Sequence, residues 1–541
     1  MKKLLIFGVC LITQLSFSQT FTKRDSLQGG LPFERTCFDV QEYRILIEVN
    51  VQEKSISGLN IISFNVLNNT KKIQLDLFEN MKVDSIRLYN KEDISLEKLS
   101  YKRECDAVFI EFDKELEKGK EETIFFFYSG KPQEAKNAPW DGGFVWKKDS
   151  NGKPFVGVAV QGTGASLWYP CKDSQSDEAE YGAVIAITVP DDLVAVSNGR
   201  NLADTPWGEN HRKWVWIVNN PINNYNITLN IGDYVHFSDT LDDLDIDYWV
   251  LRENEEKAKK HFEDDVKPML ACFQEKFGDY PFMEDGYKLV ETPYLGMEHQ
   301  SAVAYGNKYK KGYLGNDISG SGVGKLFDFI IIHETGHEWF GNSVTSKDIA
   351  DMWIHEAFTT YSEAVYVECR WGYEKAMQYI NGQSRMVENQ KPIVGQFGVN
   401  FKPKSTDMYY KGALMLNTIR HIINDDEKWW KLILDYSNHF KHQIIEAKDV
   451  IDFFTQESGI NLKPVFEQYL YHNNLPELQI ETHKKGFTYY WKTDVKNFEM
   501  PVEIILDGKT IRLQVTNQPQ RYKTKSKGKI SVNSDKFFIR N

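Results

Sequence analysis

The stretch IIHETGHEWFGN, residues 331–342, carries two histidines four positions apart, with a glutamate directly after the first. On a helix, His333 and His337 lie on one face a turn apart, so both can reach a single ion. A catalytic zinc takes three protein ligands and leaves a fourth position open for water. Glu334, beside the first ligand, is placed to act as general base on that water. Leu326, Phe327, Ile330 and Ile331 precede the motif and give the helix a buried face. An amphipathic helix with two hydrogen-bonded histidines would look much the same, so the third ligand has to decide.

Working outward, a third histidine six residues after His337 would mark one class of zinc protease. That position is Ser343, and Phe340 stands where a glycine is needed, so that arrangement is excluded. The other arrangement draws a glutamate from a second helix. DMWIHEAFTTYSEAVYVECRWG begins at Asp351, ends near Gly372, and follows one tight loop over 342–347. Glu356, 19 positions after His337, can face back toward the metal. Glu363 lies two turns further along the same face, where it can hydrogen-bond a ligand from behind.

The outer parts of the chain frame this centre. From about Phe38 to Gly232, runs such as YRILIEVNVQ and SGLNIISFNVL alternate in strand fashion, predicting a large antiparallel β domain. Helical spacing begins near residue 238, where Ala258, Phe262, Val266, Leu270 and Phe273 share a face of one helix, and helices dominate to about residue 470. Strand-like text returns from Leu475, with Asp507-Gly508 as a hairpin turn. The expected fold is therefore multidomain α+β. It has an N-terminal β domain over 19–237, a catalytic domain over 238–472 that is mixed and then helical, and a small β-sandwich-like domain over 473–541.

The chain has 541 residues, 41% apolar and 26% charged, with a net charge of −12 and no basic face, which excludes nucleic acid as a partner. Residues 1–18 read as a secretory signal peptide. Lys2 and Lys3 precede an apolar run, and Ser16-Phe17-Ser18 forms a small-x-small cleavage site. The expectation is an exported product, periplasmic or secreted and bacterial, without a transmembrane span. Six scattered cysteines, one inside the signal, allow one or two bridges and leave at least one thiol unpaired.

HETGHEWFGNSVT followed by WIHEAFTTYSE resembles the gluzincin metallo-aminopeptidases of the aminopeptidase N and leukotriene hydrolase type. Gly296-Met297-Glu298-His299 resembles that family's exopeptidase motif, whose glutamate binds the substrate's free α-ammonium group. Met-Tyr-Tyr-Lys-Gly, 408–412, resembles its Y-x-K-G motif, which implies Tyr409 as the tyrosine of the transition state. Gln161, in VQGTGASLWYPCKD, stands where the family helps bind the substrate's N-terminus. The resemblance spans most of the chain and implies a thermolysin-like catalytic domain. It also implies one Zn²⁺ held by His333, His337 and Glu356, and a substrate that is a peptide with a free N-terminus.

Two departures stand out: His299 and His355 replace the asparagines common in the family. Many relatives carry a large helical C-terminal domain that roofs the cleft, where this sequence has about 70 residues of strand-like text, so a more open cleft is expected. Two other functions compete with an aminopeptidase. An endopeptidase of thermolysin type shares the zinc ligands but has no need of Glu298 or Gln161. An inactive peptide-binding relative has no need of the intact His333, Glu334, His337, Glu356 and Tyr409.

Overall fold

The computed structural model describes residues 20–401, 405–526 and 528–540. The signal-like stretch over 1–18 lies outside them. Among the described residues, no helix is long and apolar enough to cross a membrane.

The alternation of the first long strand sets the N-terminal domain. In Phe38–Asn50, Tyr43, Ile45, Ile47 and Val49 are buried while the residues between them face out. This strand lies inside an eight-stranded sheet and pairs antiparallel with Ser55–Val66. On its other side it pairs parallel with Ala183–Pro190, so the sheet is mixed where the sequence suggests purely antiparallel pairing. The parallel pair is possible because the chain makes a long excursion between the two strands, through a three-stranded and a four-stranded sheet. One strand of the latter, Pro154–Ala159, leads directly to Gln161.

The second domain begins with a five-stranded sheet. Tyr234–Leu241 and Leu244–Leu251 form its first hairpin, so the 237/238 cut expected from texture falls within a strand. Gly296–Met297 is the far edge strand of this sheet and places Glu298 just beyond it. Met297 packs into the core of the N-terminal domain, which puts Glu298 at the domain junction.

The helix expected around residues 255–277 is two helices, Glu255–Phe262 and Val266–Phe277. Pro268 sits in the first turn of the second, where a missing N–H costs no helical bond. Cys272 is bonded to Cys369, tying this helix to the one that carries Glu356; Cys37, Cys105 and Cys171 are free. Closing a loop of that length is worth about 4–5 kcal/mol in the chain-entropy account.

The C-terminal residues form two three-stranded sheets. Asp507 and Gly508, with φ of 53° and 74°, join Glu499–Leu506 to Lys509–Thr516. Positive φ at both central residues is the hairpin geometry that asparagine, aspartate and glycine tolerate. Arg512 donates to the carbonyls of His421 (2.9 Å) and Ile422 (2.8 Å), capping the last turn of the helix Tyr410–Ile423.

Candidate metal and peptide-binding site

The motif helix, Phe329–Gly336, is completely buried and has Asp328 at its N-cap. The Asp328 carboxylate accepts from the amides of Ile330 (3.0 Å) and Ile331 (3.4 Å). It also accepts from Tyr305 and from Asn307, and lies 2.8 Å from His261 Nε2. That web fixes the start of the helix and hence the direction of its histidines.

The facing helix is Trp353–Trp371. The connection expected as one tight loop contains a short strand, Val344–Ser346, and a helical turn, Ile349–Asp351. The strand is paired with Gln443–Ile445 from a later part of the chain, a partner no local pattern announces.

His333, His337 and Glu356 offer donor atoms that all lie within 4.8 Å of one another. Glu356 Oε2 is 3.8 Å from His333 Nε2 and 3.3 Å from His337 Nε2. Each ring is held by its other nitrogen. His333 Nδ1 meets Glu363 Oε1 at 2.7 Å, and His337 Nδ1 meets the Phe340 carbonyl at 3.0 Å and Thr359 Oγ1 at 3.1 Å. Glu363 is itself fixed by Tyr379 (2.6 Å) and Gln383 (2.8 Å). Glu356 Oε2 is buried with no hydrogen-bond partner.

A buried, unsatisfied carboxylate oxygen facing two locked imidazoles is what zinc requires. Ligands at about 2.0–2.1 Å around a tetrahedral ion stand roughly 3.3 Å apart. The residues present therefore fit the metal. Glu298, Glu334 and His337 also approach within that limit, but they share the one free nitrogen of His337 with the first set.

The electrostatics match a site built for a dication. Burial works against protonation of His337, yet the carboxylates of Glu356 and Glu298 push it up to about 10. Burial, and then the charge of Glu298, hold the Glu334 carboxyl well above the usual range. Burial likewise raises Glu298 to about 7. Crowding these carboxyls into a dry site raises the proton affinity of Glu298, Glu334 and His337, a cost that a bound cation relieves.

Glu298, 1% exposed, accepts from the Gln161 amide, which also reaches Glu356 Oε1 at 3.4 Å. Gly296 is needed for close approach, since a Cβ there would lie 2.5 Å from Glu334 Oε1. Tyr409, half-buried, precedes the helix Tyr410–Ile423 and stacks 6.1 Å from the His333 ring. Gly412 lets that helix close on the facing one, because a Cβ at Gly412 would lie 2.5 Å from the Ala357 Cβ, next to Glu356. Burial first, then the carboxylates of Glu356 and Glu298, raise the Tyr409 phenol well above its ordinary value, so it keeps its proton. The structure thus gathers Gln161, Gly296, Met297, Glu298, His333, Glu334, His337, Glu356, Glu363 and Tyr409 at one junction.

Two residues of the quoted stretch itself escaped the sequence reading. Asn342 donates to the Glu298 carbonyl at 2.7 Å. Glu338, fully buried, accepts from Tyr280 at 2.7 Å and from the Ser301 amide at 3.0 Å. An acid in the turn directly after a wholly buried helix was the available signal for Glu338.

Two family models match the chain, and together they cover more than half of it: the peptidase M1 N-terminal domain over residues 40–225 and the peptidase family M1 domain over 262–469. Aminopeptidase B of Mus musculus is 26% identical over 347 residues, covering 58% of this chain and 49% of that one. Aminopeptidase N of Lactobacillus helveticus is 22% identical over 462 residues, 80% of this chain and 51% of that one. The chain spans about half the length of these relatives. An M1 zinc metallopeptidase from Deinococcus radiodurans superposes with a TM-score of 0.66 at 18% identity, covering 83% of this chain and 96% of that one, a likeness of fold.

Proposed function

Since the chain belongs to peptidase family M1, we propose that it is a zinc aminopeptidase that removes the first residue of peptides with a free N-terminus. The observation that carries this is the placement of Glu298, a carboxylate in a nearly dry pocket, oriented by Gln161 and within reach of the same cluster as His333, His337 and Glu356. A dry carboxylate binds an ammonium group strongly and rejects a chain that continues past that point. The bond presented for hydrolysis is then the first one.

His333, His337 and Glu356 would hold zinc, which when bound polarises a carbonyl and makes water acidic. Glu334, with its raised proton affinity, takes a proton from the attacking water and returns it to the leaving amine. Tyr409 keeps its proton and donates a hydrogen bond to the developing oxyanion, a contribution of about 3 kcal/mol per donor. Glu363 does not touch the substrate; it orients His333.

Export also belongs to this reading. It is supported by the lysine-led apolar stretch at 1–18 and by the Cys272–Cys369 bridge, which suits an oxidising compartment. The test of the zinc role is chelation. Dialysis against a chelator should abolish release of the first residue, and one equivalent of zinc should restore it. Undiminished hydrolysis by metal-free protein would refute the reading.

A further inference from the structure

A solvent-open pocket, about 660 Å³ counting its mouth, adjoins the site through Gln161, Tyr225 and Met352. Gln161 bridges Glu298 and Glu356, and the Met352 carbonyl accepts the Glu356 amide at 3.0 Å. The outer wall is unexpected. Gln28, Gly29 and Leu31 line it, and they precede both segments that match the family models.

This wall is anchored on both sides of the pocket. Gln28 Nε2 donates to the Thr163 carbonyl at 2.6 Å, two residues from Gln161. Gln28 Oε1 accepts from Asn400 Nδ2 at 2.7 Å, and the Asn400 amide donates to the Asp25 carbonyl at 2.9 Å. Further along the same segment, Arg35 is fully buried and paired with Asp76, fastening it to the β domain.

The charges around the pocket are already engaged. Asp348 accepts from the amides of Ala350 and Gly398, each at 2.9 Å. Asp173 accepts from the amides of Ala165 and Ser166, each at 3.1 Å. Lys347 pairs with Glu446 at 2.8 Å. Beside the unpartnered Gln175 Oε1 and Tyr225 hydroxyl, the remaining lining is the apolar surface of Leu31, Val160, Ile349, Met352 and Val399.

We propose that the segment Gln28–Leu31 walls the pocket that receives the uncharged, apolar side chain of a substrate's first residue, with Leu31 as a specificity-determining residue. The inference rests on the aminopeptidase reading of the site. An ammonium group anchored at Glu298 directs the first side chain past Gln161 into this pocket. Leu31 is 39% exposed, so its replacement can alter the pocket without disturbing the core.

The test is calorimetric binding of L-leucine, L-alanine, L-lysine and L-glutamate to the zinc-loaded protein and to its Leu31→Trp variant. The expected result is leucine bound at least tenfold more tightly than the other three, with the leucine-to-alanine ratio falling to within about twofold in Leu31→Trp. A one-methylene difference in an apolar pocket already spans about 10- to 200-fold. An unchanged ratio in the variant, tighter binding of lysine or glutamate, or no binding at all would overturn the inference. Selective binding of leucine without hydrolysis of leucyl peptides would sink the aminopeptidase reading and leave the pocket assignment standing.

Discussion

His333 and Glu363, 30 positions apart in the chain, meet through Nδ1 and Oε1 at 2.7 Å, both buried. The contact fixes the imidazole so that Nε2 faces His337 and Glu356. It makes the metal site a four-residue object rather than a three-residue one.

Replacing Glu363 with Gln keeps the shape but removes the carboxyl group that holds the ring. Loss of such an orienting partner costs 10- to 100-fold in metal affinity. The expected outcome is a zinc dissociation constant raised by about that factor in competition with a fluorescent chelator. Turnover at saturating zinc should stay within roughly an order of magnitude of the parent. Unaltered affinity would show that the contact does not position the ligand.

Tyr409→Phe removes a donor without altering the ring that stacks on His333. Its expected effect is a 10²- to 10³-fold fall in kcat, with KM and zinc content nearly unchanged. A rise in KM at constant kcat would instead make Tyr409 a ground-state binder.

His299 is fully buried, and neither ring nitrogen has a hydrogen-bond partner. Burial lowers it from its usual 6.5 to about 3, so it is neutral wherever the enzyme works. Between pH 3 and 6.5 the unfolded chain holds the extra proton, so folding stability rises with pH across that window and is lost as pH falls toward 3. His299→Asn removes this sensitivity. Denaturant titrations should show the variant gaining on the parent between pH 6.5 and 4, by at most about 1.4 kcal/mol per unit. The pH profile of activity from 6 to 9 should not move. A difference that stays flat with pH would contradict the buried neutral ring.

Much of this architecture is legible in the sequence because its determinants are local. The i, i+4 histidines, the helix carrying Glu356 and Glu363, the alternating strand that begins at Phe38, and the Asp507-Gly508 turn all write their periods or dihedral demands into neighbouring residues. What is hidden depends on distant pairing. The strand Val344–Ser346 exists because Gln443–Ile445 lies beside it, and the Ala183–Pro190 strand is parallel because the chain returns from elsewhere. Asn342 and Glu338 look like ordinary polar residues until Glu298, Tyr280 and Ser301 are brought to them. The N-terminal segment shows no period that would foretell its place beside Thr163 and Asn400.

The central claim is that Glu298 holds a free ammonium group and so limits hydrolysis to the first bond. It is tested most directly by incubating the zinc-loaded protein with a pentapeptide and with its N-acetylated twin and following products by mass. The account predicts stepwise loss of single residues from the free peptide and no cleavage of the acetylated one. Internal cleavage of both would contradict it and make the protein an endopeptidase.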